Sequence, residues 1–292
     1  MIEMTTSLPP SRPEYVRDEL SESFGVIEKP LTLWEQIYGQ SAVRKIALLL
    51  LLALVWELYA RWVANPLLIP TFSATVAAFG QGIMSGELPS KAANSIYLLL
   101  QGYVIGLALA FLLSTLAMAT RLGNDLLETM TSMFNPLPAI ALLPLALIWF
   151  GLGDRSIVVV LVHSVLWAVA LNTHSGFRSV SNTLRMVGRN YGLKNPAFVR
   201  KILIPAAFPS ILTGLKIGWA FAWRTLIAAE LVFGVSSGKG GLGWFIFENK
   251  NNLDIPNVFA GLFTVILIGL IVENLFFRNV EAMTLRKWGM QH

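Results

Sequence analysis

Six apolar runs, at 46–63, 93–119, 133–150, 156–177, 210–232 and 258–277, constrain this chain more than any other feature. At a helical rise of about 1.5 Å per residue, about 18–20 apolar residues cross a hydrocarbon core of roughly 30 Å. Lipid offers no partners to the backbone, so each run must satisfy its own N–H and C=O groups as a helix. The pattern predicts an all-α polytopic membrane protein of about six spans. Composition agrees, with 55% hydrophobic and only 13% charged residues where soluble domains carry about a quarter. The chain has no cysteine, so disulfides and thiolate metal sites are excluded. Its net charge of +5 is read through the distribution of charge over the loops and implies no nucleic-acid partner.

Residues 1–42 are polar, with Pro9, Pro10 and Pro13 ahead of mixed charges, and no apolar core follows a basic start as in a signal peptide. They are expected to form a cytoplasmic extension, either disordered or carrying a short interfacial helix at Leu31–Tyr38. Residues 43–292 form the membrane domain. Within it, 71–90 reads as a short helix outside the membrane and Arg121–Glu128 as a short polar turn. Gly102 and Gly106 stand four apart, a spacing that lets helices approach closely. The third run carries Pro136, Pro138 and Pro144. Prolines remove backbone donors and kink helices, and are tolerated at membrane depth beside protein or a water-filled cavity. That span is therefore expected to be bent near a transport path. Residues 234–254 read as a glycine-rich loop turning over the outer mouth.

Lysine and arginine set the orientation. With the N-terminus in the cytoplasm, fifteen of them fall inside, among them Arg44, Lys45, Arg178, Arg185 and Arg189, against five outside: Arg61, Lys91, Arg155, Lys239 and Lys250. This satisfies the positive-inside rule, so both termini and the segment 181–209 are expected to be cytoplasmic.

That segment, SNTLRMVGRNYGLKNPAFVRKILIPAAFP, is basic and punctuated. Ser181-Asn182 caps a helix, Gly192 ends it in the left-handed conformation, and Asn195-Pro196 starts another. Pro205 and Pro209 mark the entry to the fifth span. The unit would present Arg185, Met186, Arg189 and Tyr191 to a partner.

Arg224 lies deep in the fifth span, and Lys216, Ala220 and Arg224 are spaced by four, placing both cations near one face. An arginine at the bilayer centre costs about 2.5–3.5 kcal/mol on insertion scales, so it should face protein or water. Two readings stay open: a structural or gating role, paired with Glu230 or another acid, and contact with an anionic substrate. His163 and His174 have no second ligand at metal spacing and read as packed or hydrogen-bonded histidines. No paired carboxylates, nucleophile–base set or metal cluster appears, so the chain is not expected to be an enzyme.

The chain resembles the permease subunits of bacterial ABC importers. Their cytoplasmic loop is patterned Glu-Ala-Ala, three residues, Gly, nine residues, Ile-x-Leu-Pro. Here Met186-Val187-Gly188 stands in place of the triplet, followed by Gly192 and by Ile202-Leu203-Ile204-Pro205 at the family spacing. Asn135-Pro-Leu-Pro-Ala-Ile-Ala-Leu-Leu-Pro144, Trp149-Phe-Gly-Leu-Gly153, Trp223-Arg-Thr-Leu-Ile-Ala-Ala-Glu230 and Gly240-Gly-Leu-Gly243 look like the nitrate/sulfonate/taurine branch. The resemblance covers about 43–290. It implies the type I importer (MetI-like) permease fold in the bacterial inner membrane, and a homodimer moving a small anion by alternating access. It further implies a coupling helix in 181–209 docked on a cytoplasmic ATPase dimer, which holds the ATP and Mg, and a periplasmic binding protein on the 234–254 side. Pro136, Pro138, Pro144, Lys216, Trp223, Arg224 and Glu230 are the candidates for the path or gate. An ion-coupled secondary transporter is the alternative; it would need several intramembrane acids and an internal repeat.

Overall fold

The computed structural model describes residues 39–193, 195–233 and 240–286. The expectations for Leu31–Tyr38 and for the glycine-rich part of the loop at 234–239 lie outside the described residues. Among the described residues every regular element is helical. Five helices are long and apolar enough to cross a membrane, and the number is six if a pair bent by 89°, Arg121–Phe134 with Ala139–Phe150, counts as one span.

Helix α1 spans Ser41–Val63. The part up to and including Leu51 belongs to one compact unit and everything from Leu52 onward to another. The leucines of α1 stand mostly exposed, as a face meeting lipid chains requires (Leu49 is 66% exposed). In the second unit, Trp56 Nε1 donates to Pro70 O at 3.0 Å, and the Glu57 carboxylate accepts from Ser73 N at 3.0 Å. These bonds fold the end of α1 back onto α2, Phe72–Met84, whose N-cap is Thr71.

The expected outer helix at 71–90 is shorter than read. Gly86, at φ +79°, turns the chain, and α3 starts at Glu87 and runs unbroken to Ala119. The expected polar turn after it is a full helix, α4, Arg121–Phe134, capped by Thr120 Oγ1, which accepts from Gly123 N at 2.9 Å. The reading missed it because its apolar residues form only one stripe beside Asn124, Asp125 and Glu128. A single 3₁₀ turn, Ala139–Leu142, then leads into the short α5, Leu143–Phe150, so the third span is bent at its prolines as expected.

Helix α6, Asp154–Ser179, is the centre of the bundle: 56% of its apolar window is buried, against 6% for α1. It lies between α3 and α9, Ile204–Phe233. The α3–α6 contact is made by the two glycines: a Cβ at Gly102 would lie 2.4 Å from Leu161 Cβ, and one at Gly106 would lie 2.8 Å from Val165 Cβ. Hydrocarbon gives apolar helices no reason to associate by burial alone, so such close backbone approach supplies the packing. Some polar groups inside the bundle are bonded across helices, as where Tyr103 Oη donates to Leu215 O at 2.8 Å.

After α6 come α7, Asn182–Asn190, and the four-residue α8, Asn195–Phe198. A π-helical turn, Val199–Leu203, joins α8 to α9, with Ile204 N reaching back to Val199 O. The wider turn explains how the helix passes Pro205, which lacks the N–H for residue 201 and would crowd its carbonyl. Pro205 and Pro209 therefore lie within a continuous helix. The region expected as a loop at 234–254 contains α10, Leu242–Asn251. Helix α11, Ile255–Ile271, starts at an Asp254 cap and continues through a π-helical turn into α12, Arg278–Glu281.

Candidate functional site

Two places in the second unit hold the residues singled out by sequence: the elbow of α7 and α8, and a cavity beside the bend of the third span.

At the elbow, Ser181 caps α7, its Oγ accepting from Leu184 N at 3.4 Å. The helix ends at Gly192, whose φ of +69° lies where an L side chain is strained. Gly192 N donates to Arg189 O at 2.9 Å and Leu193 N to Gly188 O at 3.1 Å, the paired bonds of a Schellman ending. Gly188 is buried against the next helix: a Cβ there would lie 2.8 Å from the Phe198 ring and 3.0 Å from Ile202 Cγ1. Phe177, Val180, Leu203, Ala207 and Ile211 form a small core beneath, so the elbow is fixed to the ends of α6 and α9.

The elbow residues divide into two sets. Arg185, read as a contact for a partner, folds inward: Nε donates to Val180 O at 3.1 Å and Nη2 to Phe177 O at 2.6 Å. It therefore closes the C-terminal end of α6, where unpaired carbonyls and the helix dipole favour a cation. Ile202 and Pro205 are half-buried, and Gly188 is a packing position. Met186, Val187, Arg189 and Tyr191 stand outward, Tyr191 at 81% exposure.

The cavity, ≈ 360 Å³, lies between the bend, α6 and α9. Phe134, Asn135, Pro136 and Pro138 form one wall, His163, Ser164 and Trp167 a second, and Phe221, Arg224 and Thr225 a third. Arg224 has no carboxylate within 4.0 Å among the described residues. A second space of ≈ 350 Å³ lies on the other side of Asn135 and Pro136, lined by Thr131, Leu171 and His174.

Of the seven sequence candidates for a path or gate, the structure brings Pro136, Pro138 and Arg224 to this cavity. Pro144 sits in the first turn of α5, where a missing N–H costs nothing. Trp223 is 7% exposed in the main core, with its indole toward Gly269. Lys216 does not share a cationic face with Arg224: its Nζ is 2.8 Å from Glu281 Oε2 and 3.9 Å from Glu273 Oε1.

Glu230 does not pair with Arg224 either. Its carboxylate is 2% exposed and accepts from Ser95 Oγ at 2.8 Å and from Gly243 N at 2.8 Å. Ser95 Oγ in turn accepts from Leu242 N at 2.9 Å. Two side chains from α3 and α9 thus cap the start of α10, the role that a neighbouring Ser or Asp ordinarily plays. A Cβ at Gly241 would lie 2.1 Å from Glu230 Oε1, so glycine is required at this junction.

Sequence reasoning missed Ser95, Phe134, Trp167 and Thr225. An isolated serine, threonine or aromatic residue in an apolar helix carries no periodic signal. His163, expected from sequence to be packed or hydrogen-bonded, has neither ring nitrogen bonded.

Residues 102–283 match the family of binding-protein-dependent transport system inner membrane components. The chain belongs to this family. Members are ABC transporter permeases, and the closeness extends past the matched region. The chain is 32% identical over 242 residues to a putative ABC transporter permease of Methanocaldococcus jannaschii, covering 82% of this chain and 90% of the relative. It is 30% identical to a putative aliphatic sulfonates transport permease of Bacillus subtilis, over 77% of this chain and 80% of the relative. It is 29% identical to a nitrate import permease of Synechocystis, over 62% of each. In this ABC permease the matched region begins at Gly102, so it takes in the elbow, the bend, Arg224 and Glu230 together.

Proposed function

We propose that this ABC permease is the membrane-spanning part of an ATP-driven importer that carries a small oxyanion of the sulfonate or nitrate type inward by alternating access. The observation that carries the reading is Arg224: a cation without a carboxylate partner among the described residues, on the wall of the open cavity between the bend, α6 and α9. A desolvated guanidinium recognises planar or tetrahedral oxyanions through paired N–H donors. Relatives named for sulfonate and nitrate transport handle anions of that class.

Arg224 and Phe221 are exposed on the single chain, and an arginine facing lipid is costly. A second copy of the chain covers this face, so the substrate passes between two Arg224 side chains. The positive-inside distribution supports a cytoplasmic position for 181–209 and both termini of a bacterial inner-membrane protein. The outward set Val187, Arg189 and Tyr191 then docks on an ABC ATPase, which holds ATP and Mg; a binding protein delivers substrate on the α10 side. Glu230, which an ion-coupled transporter would need free, is instead committed to Ser95 and Gly243. That supports the ATP-driven reading over the ion-coupled one.

The test is uptake of ethanesulfonate and nitrate by the permease reconstituted in vesicles with its ATPase and binding protein. ATP-dependent uptake that falls at least tenfold in Arg224→Ala, with the amount of assembled complex unchanged, is the expected result. Parallel loss of assembly assigns Arg224 a structural role, and ATP-independent uptake by the permease alone overturns the importer reading.

A further inference from the structure

We infer that His163 and Trp167 of α6 join Arg224 of α9 as the donors of an anion-binding site in the ≈ 360 Å³ cavity, and that the ring of Phe134 is its movable cover. The inference rests on the importer reading for its ligand class alone.

Among the described residues, five of the seven buried side-chain atoms without a hydrogen-bond partner belong to residues lining the two spaces beside the bend, while Asp154 Oδ1 and Thr173 Oγ1 lie elsewhere on α6. His163 Nδ1 and Nε2 and Trp167 Nε1 are buried without a hydrogen-bond partner, and all three belong to side chains lining the cavity with Arg224. Burying an amide or hydroxyl unpaired costs several kcal/mol in an apolar medium, so polar groups at membrane depth are normally satisfied. Residues 163 and 167 are one helical turn apart and stack on the same face of α6. Indole N–H is a donor without an acceptor function, imidazole supplies at least one donor, and guanidinium supplies up to five. No carboxylate lines the cavity. A wall of donors with a cation and no acid complements a ligand with several acceptor oxygens and a negative charge.

Phe134 keeps these donors covered. Its ring stacks on Trp167 with centroids 5.3 Å apart and an angle of 13°, and meets His163 edge-on at 6.3 Å. Phe134 is also the last residue of α4, directly before the 89° bend at Asn135-Pro-Leu-Pro138. A rotation at the bend therefore carries the ring with it. Behind the bend, Asn135 and Pro136 also line the second space, where Thr131 Oγ1 and His174 Nε2 are again buried and unpaired. The bend stands between two chambers that both present unsatisfied polar groups. Movement of Phe134 exposes the upper set when substrate is present and opens the partition toward the lower one.

The site is read with permease labelled at the indole nitrogens and reconstituted in nanodiscs, titrated with ethanesulfonate and with nitrate. The Nε1–H resonance of Trp167 is assigned by its loss in Trp167→Phe. The expected result is a saturable shift of that resonance by both anions and none by ethyl methyl sulfone, a neutral analogue. His163→Phe should weaken the binding about tenfold and His163→Gln, which keeps a donor, should recover most of it. Phe134→Ala should produce the Trp167 shift at lower anion concentration. In the reconstituted transporter His163→Phe should raise the KM for ethanesulfonate with assembly unchanged. A Trp167 resonance indifferent to both anions, or a wild-type KM in His163→Phe, overturns the site while leaving the importer reading in place. A saturable shift without any ATP-driven uptake leaves the site standing and overturns the importer reading.

Discussion

The hydroxyl of Ser95 donates to the carboxylate of Glu230 at 2.8 Å, across 135 residues of sequence, in a place where both side chains are at most 2% exposed. The pair holds the start of α10 to α3 and α9 at the end of the bundle away from the α7–α8 elbow. Removing the hydroxyl leaves a buried carboxylate short of a donor, which costs about 1–3 kcal/mol. Ser95→Ala should lower the melting temperature of the permease in nanodiscs, and Gly241→Ala should lower it further, because its added carbon meets the carboxylate. Thermal denaturation followed by intrinsic fluorescence measures both; a Gly241→Ala protein as stable as the parent would show that the junction has room.

The α3–α6 contact makes a similar prediction with an internal control. Gly102→Ala should destabilise the bundle, since its new methyl falls 2.4 Å from Leu161 Cβ. Leu161→Ala alone opens a cavity and should cost about 2–5 kcal/mol. Alanine keeps the Cβ that the new methyl meets, so Leu161→Ala should relieve only the lesser contacts at Cδ1 and Cγ, whereas Gly102→Ala/Leu161→Gly should be less destabilised than its two single effects added together. Strict additivity in a double-mutant cycle would mean that the two residues do not press on each other.

At the elbow two arginines four residues apart should behave differently. Arg189→Glu should reduce ATP-driven uptake and the ATPase stimulation that accompanies it, with melting temperature unchanged, because its side chain points outward. Arg185→Ala should lower the melting temperature by freeing the carbonyls of Phe177 and Val180. Comparing uptake and stability for both variants checks the assignment, and a stable Arg185→Ala protein would refute it.

Lys216 and Glu281 give the fourth. Lys216→Met removes the cation that lies 2.8 Å from Glu281 Oε2 and 3.9 Å from Glu273 Oε1, leaving two acids facing each other, and breaking such an ion pair from one side is more harmful than removing both charges. Lys216→Met/Glu281→Gln should therefore recover part of the stability lost in Lys216→Met. Urea or thermal unfolding of the three variants decides it.

The spans were legible because an apolar run of sufficient length has one outcome in lipid, and the bend was legible because three prolines in nine residues leave few alternatives. The elbow was legible in its punctuation: Ser181, Gly192 and Asn195-Pro196 each act through local backbone geometry. Helix α4 was hidden because a single apolar stripe among polar residues resembles a turn. Pairings between distant helices were not legible at all. Residues 216 and 224 are about 80° apart around α9 but about 12 Å apart along it, so a shared face did not mean a shared environment. Glu281 reaches one of them and the cavity the other. Ser95 illustrates the same limit, since nothing near it in the chain announces Glu230.

The π-helical turn at Val199–Leu203 has a mechanical consequence. Because it carries the helix past Pro205 without a break, the chain from Asn195 to Phe233 is continuously helical. Arg224 lies 29 residues along it, about 43 Å from the elbow. If the helix moves as a unit, a tilt of about 10° swings a point at that distance by about 7 Å, more than twice the length of a hydrogen bond. An ATPase docked on α7, as proposed above, would then need no relay of side chains to reach the cavity; a small rocking stroke at one end would arrive as a lateral sweep of the guanidinium at the other.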